Sequence, residues 1–157
     1  MPHLHVDDRD ELRTQLSLVH DCPFVLEESE YDDRTQVWRG TFYRPLWGSG
    51  AVESRRRFLL FRRYRVPLAA VTLEIRRVNT CTITHNSRIG AFTFNRVKTS
   101  DAGVVLCFNE AMEISFTLPD GLDAELDIAE DPCCVGVGSS FLGVDTGPNP
   151  EKPNHAS

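Results

Sequence analysis

Lysine is nearly missing from this chain. Of 17 basic residues only Lys98 and Lys152 are lysines, and the rest are arginines. The cations are therefore planar forks that pair with carboxylates and stack on rings, not compact ammonium charges. Long apolar runs are missing too. None approaches the ~18 residues that a membrane-spanning helix requires, so no membrane association is expected. The N-terminal stretch MPHLHVDDRDEL has no basic n-region and no apolar h-region, which argues against a secretory signal. The five cysteines, Cys22, Cys81, Cys107, Cys133 and Cys134, are odd in number and lack a framework spacing. They read as reduced thiols in a cytosol.

Ligand spacings are equally scarce. The chain contains no CxxC and no HxxxH, so structural zinc is not expected and no cofactor is implied. His3 and His5, on an N-terminus read as loose, are the only closely spaced histidines. The glycines of GVGSSFLGVDTG, residues 136–147, lack the following lysine and helix of a phosphate loop.

What is present fits one ordinary domain. The chain has 157 residues, 41% hydrophobic and 25% charged. A chain of about this size buries roughly 68–70% of its unfolded surface and needs no covalent staple. The net charge of −6 argues against a general nucleic-acid binder.

One stretch organises the chain. Arg55 to Val78 holds eight arginines, with Glu74 as its only acid. Its two apolar runs predict two strands, Arg57–Arg65 and Ala69–Val78, with Pro67 breaking the ladder between them. Val71, Leu73 and Ile75 alternate with Thr72, Glu74 and Arg76, the period of a sheet with one buried face. Phe58 to Phe61 is apolar on both faces, as in a doubly covered strand.

The flanks fill in the rest. Leu12, Leu16 and Val19 share one face of a helix over residues 8–20, capped by Asp7 or Asp8 and stopped by Pro23. Phe24 to Tyr31 and Gln36 to Arg44 predict a β-hairpin, with Gly40 marking a bulge or a close backbone approach. After Cys81, turn signals at 85–87, 100–103, 109–111 and 119–121 separate short alternating strands. The expected fold class is α+β, predominantly antiparallel β, as a sandwich, open barrel or meander, with one short N-terminal helix. The domain is expected over 1–131. Residues 132–157 read as a Gly/Pro-rich tail with a weak edge strand at Val135–Val144, and 145–157 as disordered.

Several constellations bear on function. The arginine-rich stretch faces ten acids in residues 1–33 and six more from Asp120 to Asp131. Acidic strands beside basic ones pair across a sheet; the sharper reading is a basic face that docks an acidic protein. Its candidate residues are Arg55, Arg56, Arg57, Arg62, Arg63, Arg65 and Trp47. Trp47 is first expected to plug the core, with exposure as a contact residue the alternative. Phe58, Phe61 and Tyr64 interleave with arginines as an RNA-stacking platform would, a weaker reading. His20-Asp21-Cys22, with His85, is the remaining candidate for an enzyme or small-molecule pocket. The bland roles are a helix end, a turn and a core thiol. Cys133-Cys134 is expected as two thiols. No catalytic set stands out, and the leading expectation is a non-enzymatic, cytoplasmic protein-binding module.

Overall fold

The first helix forms where charge and capping agree. Asp8 accepts hydrogen bonds from the backbone of Asp10 and Glu11, each 2.9 Å, and opens α1, Arg9–Leu16. A 3-10 turn, Ser17–Val19, carries the chain on to His20. Leu12, Leu16 and Val19 are fully buried, as their spacing demands. The computed structural model describes residues 2–48, 50, 52–55, 61–85, 91–109, 111–141, 144–145 and 147–151.

Among these residues the strands are β1 (His3–Val6), β2 (Pro23–Val25), β3 (Glu30–Asp32), β4 (Val37–Pro45), β5 (Val52–Arg55), β6 (Phe61–Ile75) and β7 (Thr80–Thr84). They continue as β8 (Ala91–Ser100), β9 (Gly103–Phe108), β10 (Glu113–Thr117), β11 (Ala124–Ile128), β12 (Cys134–Phe141), β13 (Val144–Asp145) and β14 (Asn149–Pro150). Strands take most of the described residues, pairing is antiparallel, and the sheet does not close into a barrel. The main path runs β1-β11-β6-β4-β2-β8-β9-β10-β7. The expected fold class is the one that forms.

The sheet curls over one core. Three strands stand between β4 and β10 in that order, yet the rings of Trp38 and Phe116 meet edge to face at 4.9 Å. Phe24 sits among Trp38, Phe42 and Phe108, its ring centroid 4.7 Å from that of Phe108. α1 lies against β8 and β1 and presents its leucines to the same cluster. Gly40 is a close approach: a Cβ there would lie 2.4 Å from the Trp38 ring, which folds over it.

Four expectations are corrected. Phe24 to Tyr31 is not one strand. β2 and β3 are separated by a 3-10 turn, Leu26–Glu28, so the hairpin is β3–β4, while β2 bridges β4 and β8. Pro67 does not divide two strands: β6 runs fifteen residues through it. The Pro67 carbonyl accepts the Leu46 N–H at 2.8 Å. In an antiparallel strand a residue's N–H and C=O point the same way, so the missing N–H faces the turn between β4 and β5. The ladder already has a gap there, because β5 pairs only up to Arg65 and β4 only from Leu68.

The third correction concerns the disorder expected at 145–157. The edge strand expected at Val135–Val144 forms over residues 134–141, paired along the whole first half of β6, from Cys134↔Leu68 to Phe141↔Phe61. β13 bridges to it from the start of the segment expected to be disordered and β14 from within it, and Glu151 N–H bonds the Val135 carbonyl at 2.9 Å. Residues 152–157 lie outside the described residues. The fourth is Trp47, which does not plug the core but stays 54% exposed.

The first half of β6 has a small core of its own, on the face opposite to that of the main cluster. Tyr64, Val66 and Leu68 are buried there, whereas Val71, Leu73 and Ile75 face the large core. The parity of burial changes between Leu68 and Ala69, both fully buried. Tyr43 and Cys134 pack against the smaller cluster.

Candidate docking surface

The distal ribbon of β5, β6 and β12 carries most of the described candidate residues. Its register sets Arg65 between Val52 and Val137, and Arg63 between Ser54 and Ser139. Laterally paired residues share a face, so Arg63, Arg65, Val135, Val137 and Ser139 lie on one face. Both arginines are exposed, and Val135 and Val137 are each 37% exposed. Basic forks therefore stand beside apolar branches on an open sheet surface.

The other face explains why this one is open. Alternation in Val135-Gly136-Val137-Gly138 puts valines outward and glycines inward. A Cβ at Gly138 would sit 2.3 Å from the Tyr64 ring, and one at Gly136 would sit 2.9 Å from both Leu68 and Pro148. Glycine lets the rings and side chains of the small core lie on the strand backbone, so the larger side chains of β12 point out. Trp47 rests on the outer side of this small core, its ring 5.4 Å from that of Tyr64. Arg62 is exposed on the Tyr64 side of the ribbon. Arg55 has its backbone in β5 opposite Arg62. Arg56, Arg57 and Phe58 lie outside the described residues, and with them the doubly covered run expected at 58–61, except for the Phe61 backbone.

Charge pairing across the sheet is real, and the second half of β6 carries a network of it. Arg76 grips Glu125 with two bonds of 2.6 Å and Glu74 with one of 2.7 Å, while Arg39 reaches Glu74 at 2.5 Å. Arg77 lies 3.3 Å from Asp123. Burial pushes the Glu74 carboxyl up, but hydrogen bonds from Arg39 and Arg76 outweigh it and hold the group below the usual carboxylate range. In the first half, Arg65 meets Glu151 at 2.8 Å, a carboxylate from the far end of the described chain.

The residues singled out for chemistry have different surroundings. His20 pairs with its neighbour Asp21 at 3.1 Å. The Cys22 thiol is buried, and burial pushes it up to about 11, away from the thiolate that a nucleophile needs. The His85 ring lies edge to face on Phe92 at 5.9 Å. A groove of about 360 Å³ opens beside His20, lined also by Arg13, Leu16, Phe94 and Arg96, and its described lining includes neither Cys22 nor His85. Cys133 and Cys134 are free thiols 3.6 Å apart, and burial pushes Cys134 up to about 12. Among the described residues no group of three or more His, Cys, Asp or Glu could hold a metal ion. Nor is any helix among them long and apolar enough to cross a membrane.

Sequence reasoning found the arginines and missed Val135, Val137 and Ser139. The signal was there in the V-G-V-G alternation, which has the period of a strand with glycine on its packed side. These features define an open, curled antiparallel sheet with one helix and a basic-apolar face on its distal ribbon. No protein-family model, curated protein or solved structure matches the chain.

Proposed function

We propose that this protein is a non-enzymatic, cytosolic protein-binding module whose distal ribbon docks an acidic partner. Arg63 and Arg65 supply the cations and Val135 and Val137 the apolar contact, while Arg62 and Trp47 lie on the Tyr64 side of the ribbon, outside this contact. Arginine is enriched at interfaces, because its planar fork offers a large contact area with defined geometry. The observation that carries the reading is the ion pair of Arg65 with Glu151. A carboxylate carried by an extended segment already lies on this surface, beside the Val135 backbone to which Glu151 is bonded. An acidic segment of a partner would make the same contact in its place.

The test compares capture from extracts of the source cell by the native chain and by Arg63→Glu/Arg65→Glu. A stoichiometric acidic protein held at low salt, released at high salt and lost with the double variant is the expected result. Failure to recover any stoichiometric partner at low salt counts heavily against the reading. Equal capture by both chains removes the arginines from it. Binding of single-stranded RNA with a steep salt dependence would replace the protein partner with a nucleic acid.

A second reading rests on the groove beside His20. Its volume of about 360 Å³ falls within the range of small-molecule sites, and Arg13, Arg96 and His20 surround an apolar floor. Binding of the fluorescent sulfonate 8-anilinonaphthalene-1-sulfonate, weakened by Arg96→Ala, would favour it over docking.

A further inference from the structure

The last strand of the main path, β7, pairs with β10 on one side. Among the described residues no strand pairs with its other side. Alternate residues of β7 therefore turn their N–H and C=O groups outward, a template for another strand. Proteins usually blunt such an edge with charge, proline, a bulge or a covering loop. The β7 sequence Thr80-Cys81-Thr82-Ile83-Thr84 contains neither charge nor proline, and its register with β10 is unbroken. The ten residues VNTCTITHNS, 78–87, carry no Asp, Glu, Lys or Arg in a chain that is 25% charged. Thr80, Thr82, Ile83 and Thr84 are all exposed, Ile83 at 45%. The strand at the opposite end of the path differs. β1 has only four residues, and His3 on it is hydrogen-bonded to Asp127 at 2.6 Å.

We propose that β7 pairs antiparallel with β7 of a second copy of this chain, about a two-fold axis through Thr82. The strand fits itself in that register. Thr82 faces Thr82 of the second copy, Thr80 faces its Thr84, and on the other face Cys81 meets its Ile83. Threonine pairs and β-branched contacts are favourable cross-strand neighbours, and no like charges come face to face. A charged edge strand would oppose its own charges under the same symmetry. Charge and pattern thus select a second copy over a partner of another sequence. Five residues of strand bury less than the about 1,200–2,000 Å² of a stable interface, so the dimer is reversible and concentration-dependent. Five strands stand between β7 and β6 in the sheet order, so the pairing consumes no residue of the basic-apolar face. The inference does not depend on what that face binds.

Sedimentation equilibrium on the full chain, from micromolar to near-millimolar, should show a monomer–dimer equilibrium. Thr82→Lys sets two ammonium groups against each other on the axis and should weaken association at least tenfold with an unchanged circular dichroism spectrum. A positional test does not depend on that variant folding. In a Cys133→Ser background, Thr82→Cys treated with diamide should give a covalent dimer, because the two positions face each other within disulfide reach. Thr80→Cys should not, since its copies would lie about 13 Å apart along the strands. A monomer at every concentration overturns the proposal. So does cross-linking through position 80 as readily as through position 82.

Discussion

Arg76 holds together two carboxylates that the register sets face to face. Glu74 on β6 lies directly opposite Glu125 on β11, an arrangement that repels by itself. The Arg76 fork bonds both, and Arg39 supplies a second cation to Glu74. Exposed pairs contribute about 0.2–1 kcal/mol each, and removing Arg76 also uncovers the repulsion. Arg76→Met should therefore lower stability by about 1–2 kcal/mol in urea unfolding at neutral pH, and Glu125→Gln in that background should restore part of the loss. An unchanged midpoint in Arg76→Met would show the clamp to be energetically idle. The Glu74 carboxyl has its pKa depressed in the fold. Its contribution is present above the ordinary glutamate value and is lost as pH falls through the lower folded value. His3 runs the other way. Its hydrogen bond to Asp127 raises its pKa, so its contribution is complete below about 6.5 and disappears as pH rises through the raised value. Amide exchange in β1 should quicken across that window in the native chain, and His3→Gln should flatten the dependence.

Among the elements, turns and strand ends decide what was legible. The alternation in 112–118 identified β10 outright, because it has one buried face, and the apolar run in 104–108 identified β9, which is buried on both faces apart from Val105. The helix was equally clear from Leu12, Leu16, Val19 and the aspartate cap. β6 was misread because proline in a strand is ordinarily a break; only the gap between β4 and β5 reveals that Pro67 loses no partner. The β2–β3 division was hidden because Val25, Leu26 and Tyr31 keep an apolar content that says nothing about a 3-10 turn between them. The tail was misjudged because glycine and proline usually signal disorder. Here Gly136, Gly138 and Pro148 are packing surfaces for Tyr64 and Leu68, a role that depends on contacts far apart in sequence. One turn retains a local conflict. Ala111 has φ +56° in the connection before β10, a left-handed conformation that costs a non-glycine residue about 1–2 kcal/mol. Ala111→Gly relieves that strain at some cost in unfolded-chain entropy. The expected outcome is a gain of about 0.5–1 kcal/mol, read as a higher urea midpoint with an unchanged slope.

At the scale of the whole molecule, two cores of unequal size share one strand. The second half of β6 is flanked by β4 and β11 over the aromatic cluster, whereas the first half rests, among the described residues, on the smaller cluster of Tyr64, Val66 and Leu68 with Tyr43 and Cys134 against it. Among the described residues the smaller cluster has one buried ring, Tyr64, and the larger has seven, Phe24, Trp38, Phe42, Phe92, Phe94, Phe108 and Phe116, so the larger should be the more stable. The two halves should therefore open separately, the distal ribbon first and the curled sheet only with global unfolding. Amide exchange should show Tyr64, Val66 and Val137 exchanging well before Val71, Leu73 and Ile75. Gly138→Ala sharpens the contrast. The added methyl drives into the Tyr64 ring, and overpacking of this kind costs about 1–3 kcal/mol. If the ribbon opens on its own, that cost speeds exchange in β12 and in the first half of β6, and leaves the protection of Leu73 and Phe116 unchanged. If the molecule is one cooperative unit, every core amide loses protection by the same factor. The distinction bears on function, because the basic-apolar face belongs to the weaker half. A partner bound there would stabilise the ribbon by mass action and should slow its exchange while leaving that of the main core unaltered.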